Sequence, residues 1–568
     1  MTYSAEAILA AKETCDLVMK GGVTSGVVYP RAIVKLAHRY RFQSIGGASA
    51  GAIAAAFTAA AEYARVARGD AGGFLRLAER AEALPALLED LFQPTPALKP
   101  LLKLLKTATS RGSTLDLIGG VFNAFPASIP LGAAAIGGAF FLFGGPIGAV
   151  VGALLGAVAG PGVQITQKML TALEKNDYGI CRGLRTPGSD KPALTEWIHE
   201  SLQYIAFGQE KHAPLTFGDL ENAAGEGKRG VKLRMVTTNL SLRRPHFLPY
   251  FGSVKIGFKL DEWKNYFPAD VIAALAETTP GPLHTSAPDV LDMVGPKNLP
   301  VVVATRMSLS FPVLLCTLPV YAIDYAEKEK SAALGLAAKP LRVRRCLLSD
   351  GGVCSNFPIH FFDQSLPQRP TFAISLDPLP DDMKDAPRRA YMPATADEGN
   401  ALPVWEFKGL GGFAMALLNS AKDWQDTLQS SLPGYRDRIV RVALLESEGG
   451  LNLAMAPATV AKLLKYGEEA ADAIDSTFVL REHQWRRMMA SYQALSDFAD
   501  GADKAWEHLR PLMISYETEA KSYQRLKPYF VDVVRGYDAV AAANKLFPTK
   551  PPRSLSPRPL VRLRIQID

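Results

Sequence analysis

Cysteine is scarce: five among 568 residues, Cys15, Cys181, Cys316, Cys346 and Cys354, an odd number with no short pairing interval. A disulfide framework is therefore excluded, and reduced thiols of a cytoplasmic protein are expected. Histidine is sparse too, eight in all. No Cys/His group has zinc-ligand spacing, so neither a metal nor another cofactor is expected. The first twenty residues carry Glu6, Lys12, Glu13 and Asp16 and lack the basic start and apolar run of a cleavable signal peptide. Neither sign of charge dominates. The net charge of +7, from 63 basic and 56 acidic residues, favours anionic membrane surfaces weakly and is too small to argue for nucleic acid. There is no internal repeat.

What is present begins with Gly47-Ala48-Ser49-Ala50-Gly51, between a strand-like Phe42–Ile45 and an alanine-rich helical stretch, Ala52–Ala61. A Gly-x-Ser-x-Gly at a strand-to-helix turn is a nucleophile elbow: the glycines leave room for a sharp turn that lifts the serine hydroxyl clear. The following helix aims unpaired N–H groups at charge developing beside it. Upstream, the apolar Thr14–Met19 leads into Lys20-Gly21-Gly22-Val23-Thr24-Ser25-Gly26 and a helix-like Val27–Tyr40. Glycines there expose backbone N–H groups of the kind an oxyanion hole needs, although an ordinary tight loop reads the same way. Downstream, the strand-like Arg345–Ser349 ends in Asp350-Gly351-Gly352, an aspartate free to project into a cleft or simply a β-turn.

In this order the three motifs resemble the patatin-like phospholipases, lipid acyl hydrolases with a glycine-rich oxyanion loop, a serine elbow and an Asp-Gly-Gly/Ala. The resemblance covers most of residues 14–380, helped by Thr237-Thr238-Asn239-Leu240, Arg306–Pro312 and Asn356-Phe357-Pro358. It implies a catalytic dyad of Ser49 and Asp350, backed by Gly26, Gly47, Gly51, Gly351 and Gly352. Backbone N–H groups of Gly21, Gly22, Val23 and Ala50 would form the oxyanion hole. Two positions depart from the family pattern. Val23 stands where a third glycine is usual, and Ser25 where a basic residue is usual; Lys20 could supply the missing charge.

A serine hydroxyl needs a base to take its proton as it attacks. A Ser…Asp…His triad would require a histidine after Asp350, and the choices are His360, His483 and His508. His360 reads as the start of a helix beside the site, and the other two as solvated residues of amphipathic helices. A dyad is therefore expected, with Asp350 tuned by partial burial to accept the Ser49 proton. The substrate implied is a membrane glycerophospholipid. The alternatives are a neutral-lipid or general carboxylesterase, or a weakly catalytic, membrane-binding or self-associating protein on the same scaffold.

Residues 117–167 contain no charge, and Gly144, Gly148, Gly152, Gly156 and Gly160 recur every fourth position. Such a stripe lets two helices approach closely and could mediate self-association. Gly144-Gly145-Pro146 would break a helix there, leaving two arms each shorter than the ~20 residues needed to cross a bilayer. Contact with lipid and a buried helical hairpin both fit, the first favoured by the length of the charge-free run. Leu98–Thr107 reads as a short basic amphipathic helix.

The fold expected is α/β, a mostly parallel central sheet covered by helices on both faces. Its strands should include Val231–Leu240, Leu299–Ala304, Cys346–Ser349 and Phe372–Leu376. The patatin-like domain should occupy residues 1–400 with the insertion at about 117–167. A mainly helical region, 401–547, follows, holding one strand-like stretch, Arg438–Leu444. A Pro/Arg-rich tail with a terminal strand completes the chain at 548–568.

Overall fold

The computed structural model describes residues 4–547 except 23–24, 111–162, 253, 338, 396–397, 399–403, 405, 408, 450–454, 516–523 and 525–526. The glycine stripe, Val23 and the tail lie outside the described residues; of the charge-free segment only its end is described, in the helix Val163–Lys175. No described helix is long and apolar enough to cross a membrane.

Fourteen described strands follow in chain order: β1 Glu13–Met19, β2 Tyr40–Gly47, β3 Gly179–Cys181, β4 Lys232–Asn239, β5 Arg244–Leu248, β6 Ile256–Phe258 and β7 Pro282–His284, then β8 Ala287–Asp292, β9 Val313–Leu315, β10 Leu318–Asp324, β11 Arg342–Ser349, β12 Thr371–Pro378, β13 Ala390–Tyr391 and β14 Ile439–Leu444. All but β3 and β9 join one sheet, ordered β13-β14-β12-β1-β2-β4-β11-β10-β6-β8-β7, with β5 also on β4. The last five residues of β1 and the last four of β2 are buried without alternation. That is the pattern of strands covered on both faces. Helices Tyr29–Ala37 and Ala50–Arg68 supply cover, and one continuous apolar core joins them to the sheet.

The expectation of a mostly parallel sheet holds for only half of it. The five strands β14-β12-β1-β2-β4 are parallel. Beyond β4 every described pairing is antiparallel. Alternating strands and helices in sequence do not reveal this, because a helix such as Tyr325–Ala333 can equally return the chain to an antiparallel neighbour.

Leu299–Ala304 corrects a second expectation. It is not a strand: Pro300 ends the extended stretch and the helix Val301–Ser308 follows, with all eight residues buried. A helix buried on every side shows no amphipathic period, and its run of valines mimics a strand. Arg438–Leu444 is a strand, β14, and it lies beside β12 in the main sheet. The region after residue 400 thus contributes the outermost parallel strand.

Candidate active site

Strand β4 sets the geometry. On one side Gly47 of β2 pairs with Met235, so the chain reaches Ser49 two residues further on. On the other side β11 runs antiparallel and touches β4 only through its last residues, Leu348 opposite Asn239 and Ser349 opposite Thr238. The next residue, Asp350, therefore arrives beside Thr237. The Thr237 hydroxyl lies 3.0 Å from the carbonyl oxygens of both Ser349 and Met307 and shares its one proton between them. The Asp350 N–H donates to Ser310 O at 2.9 Å.

Ser49 has φ 55° and ψ −131°. That is a strained backbone for a residue with a side chain, held because its surroundings dictate it. The two elbow glycines are required by space. A Cβ on Gly47 would stand on the Gly51 carbonyl, and one on Gly51 would stand on Met19 O. By contrast, the nearest atom to a Cβ on Gly26 would be Ala50 Cβ at 3.7 Å, an ordinary contact. The elbow helix begins at Ala50, whose N–H has no intrahelical acceptor.

Ser49 and Asp350 are both buried, at 4% and 3% exposure. Burial pushes the Asp350 carboxyl up to about 6, against the Ser49 hydroxyl, the Gly352 N–H and the charge of Lys422, which draw it down. Asp350 Oδ1 accepts the Gly352 N–H at 2.7 Å. Oδ2 completes no hydrogen bond of normal geometry among the described residues. A serine–carboxylate contact that is loose in the resting site can tighten when substrate binds.

The glycine loop passes directly over the serine: a Cβ on Gly21 would come within 2.9 Å of Ser49 Cβ. The Gly21 N–H, expected in the oxyanion hole, donates instead to Asn356 O at 2.9 Å. Gly22 is next in the loop and partly exposed, and Ser25 opens a short 3-10 helix, Ser25–Val28. Lys20 is already paired. Its Nζ lies 3.2 Å from Asp377, whose other oxygen takes Arg441 at 2.7 Å. Burial raises the Asp377 carboxyl, but these two cations outweigh it and hold it at about 2. Gly351 and Gly352 sit where side chains would strike Val236 O and Asn356 Oδ1 respectively.

The three histidines turn elsewhere. His360, in the short 3-10 helix Ile359–Phe362, faces Gln429 at 3.2 Å. His508 is exposed. His483, which its amphipathic helix would place in solvent, is instead buried, with Nδ1 2.8 Å from Asp437. Its helix packs that face onto the turn before β14, where the buried carboxylate requires a partner. Among the described residues no group of three or more His, Cys, Asp and Glu is placed to hold a metal ion.

The buried helix Val301–Ser308, whose sequence alone marks no role, forms the floor of the site. Ser308 Oγ accepts the Ser49 N–H at 3.2 Å, and Met307 and Ser310 supply the carbonyls described above. The local signal was Arg306–Pro312, present in the family resemblance without an assigned task.

No family model matches the chain. The solved crystal structure of VipD from Legionella pneumophila covers 94% of this chain and 88% of its own at 13% identity. Its TM-score of 0.30 is too low to establish a shared fold. A curated relative, the RpoH suppressor of Rhizobium meliloti (strain 1021), is 35% identical over 574 residues, spanning 89% of this chain and 88% of the relative. Identity of that extent over nearly the whole of both chains places this protein in the family of the Rhizobium meliloti RpoH suppressor.

Proposed function

We propose that the protein is a serine acyl hydrolase of the patatin-like type, cleaving acyl esters of membrane glycerophospholipids. The observation that carries the reading is the meeting of Ser49 and Asp350 across β4, one on a strained elbow, the other a buried carboxylate tuned to about 6. In the acylation step Asp350 takes the Ser49 proton while Oγ bonds to the acyl carbon. The carbonyl oxygen becomes an oxyanion, met by the Ala50 N–H at the helix start and by the Gly22 N–H of the overlying loop. Collapse expels the alcohol, which leaves with the proton from Asp350. Water then bonds to the acyl carbon as Asp350 takes its proton, and the C–Oγ bond breaks as Asp350 returns that proton to Oγ, releasing the fatty acid and restoring Ser49.

With Gly21 bonded to Asn356, its N–H would serve only after that loop shifts. The substrate implies work at a membrane surface, and buried free thiols such as Cys15 and Cys181 suit a reducing compartment.

Incubating purified protein with a mixed-lipid panel and weighing the products by mass spectrometry tests the reading. Free fatty acid and lysophospholipid should appear, and Ser49→Ala and Asp350→Asn should each abolish them. Products from neutral lipids alone would move the assignment to a neutral-lipid esterase. Undiminished products from Ser49→Ala would overturn it.

A further inference from the structure

The helix Gly409–Ser430 belongs to the C-terminal region, outside the stretch in which the catalytic motifs lie. One of its residues nevertheless reaches the site. Asp426 is buried, and its Oδ2 accepts the N–H groups of Asn356 at 2.7 Å and Phe357 at 2.8 Å. Its Oδ1 accepts the Ser355 hydroxyl at 3.2 Å.

The segment so held touches both halves of the machinery. On the oxyanion side, Asn356 O receives the Gly21 N–H at 2.9 Å, and Asn356 Nδ2 donates to Gly21 O at 3.3 Å. On the side of the base, the Ser355 N–H donates to Gly351 O at 3.0 Å. The Asn356 carboxamide oxygen also fills the space beside Gly352, whose N–H holds Asp350 Oδ1. A carboxylate that accepts three hydrogen bonds from one short segment fixes its backbone in place.

We propose that Asp426 is a positioning residue, a clamp from the C-terminal region that sets the oxyanion loop and the Asp350 turn in register with Ser49. The inference rests on the hydrolase reading for its kinetic consequence and on hydrogen bonding alone for the clamp. The clamp acts through Asn356, not on substrate. Removing it should affect the reacting geometry more than binding.

The test uses the full-length chain with a short-chain p-nitrophenyl ester, active serines being counted by titration with a phosphonate. Asp426→Ala should lower kcat per active serine by roughly 10- to 100-fold, the scale of a misplaced reacting group, while KM stays within about twofold. Asp426→Asn keeps an oxygen for the two N–H groups and should recover most of the loss. Trp424→Ala, on the exposed side of the same helix, should match the wild type. Amide hydrogen exchange gives a second readout: Gly21, Asn356 and Phe357 should exchange faster in Asp426→Ala, with β1 and β2 still protected.

Unchanged kcat per active serine, or unchanged exchange at Gly21, overturns the clamp. If Asp426→Ala does not fold, Asp426→Glu displaces the same segment by one methylene, and wild-type turnover there overturns it equally. Faster exchange at Gly21 in a protein whose wild type cleaves no ester would leave the clamp standing and sink the hydrolase reading.

Discussion

Ser49 and Asp350 leave the two neighbours of one strand, Ser49 two residues after Gly47 pairs with Met235 of β4 and Asp350 one residue after Ser349 pairs with Thr238. The serine comes from a parallel neighbour, the aspartate from an antiparallel one. Their meeting depends on β11 ending where it does: each further residue paired with β4 would carry Asp350 about 3.4 Å along the strand.

The first prediction concerns pH. Asp350 must be ionised to take a proton, and its carboxyl is raised to about 6. Log kcat/KM on a soluble ester should rise with unit slope below pH 6 and level off above it. A limb centred near 4, where an ordinary aspartate titrates, would remove Asp350 from the role of base.

The same burial predicts a stability effect of opposite sense. A carboxyl raised in the folded state favours folding below its unfolded value near 4, and that contribution is lost as pH rises through about 6. Asp350→Asn carries no charge to bury. It should therefore be more stable than the wild type at pH 8, by on the order of 2–3 kcal/mol, and melt higher there, while the two should converge below pH 4. Equal melting temperatures at pH 8 would count against a desolvated carboxylate.

Glycine substitutions should divide by available space. Gly47→Ala and Gly51→Ala press a methyl onto backbone carbonyls and should each cost roughly 1–3 kcal/mol and most of the activity. Gly26→Ala meets nothing closer than 3.7 Å and should stay within about 0.5 kcal/mol of the wild type. Urea melts of the three variants check the ranking. Similar losses at all three positions would refute it.

His483→Ala separates a structural histidine from a catalytic one. It deprives the buried Asp437 of its closest partner, leaving Arg486 at 3.3 Å. A loss of roughly 1–3 kcal/mol in stability is expected, with kcat per active serine unchanged. A fall in kcat of several orders of magnitude in folded protein would replace the dyad by a triad.

Much of the site was legible from the chain because its causes are local. An elbow needs small residues two positions either side of a serine, and Gly47 and Gly51 announce it wherever they fold. Asp350 followed by Gly351 and Gly352 marks a tight turn by the same logic. Strands β1, β2, β4 and β12 could be read as apolar runs, since strands covered on both faces show no polar alternation.

Other features rest on contacts between distant residues. The antiparallel half of the sheet follows from which edge β11 finds. The Val301–Ser308 helix is buried on every side, polar Thr305, Arg306 and Ser308 included, so its valines read as a strand. Burial of His483 follows from a carboxylate 46 residues away in sequence, and Asp426 reaches Asn356 over 70. The sequence by itself determined the elbow at Ser49, its turn and the aspartate expected to face it, because steric demands within a few residues leave a readable pattern. Only the tertiary structure decided what surrounds them: the Ser308 floor, the Asn356–Gly21 bond and the Asp426 clamp. Those are hydrogen bonds between polar groups buried together, and such groups find partners only once the chain has packed.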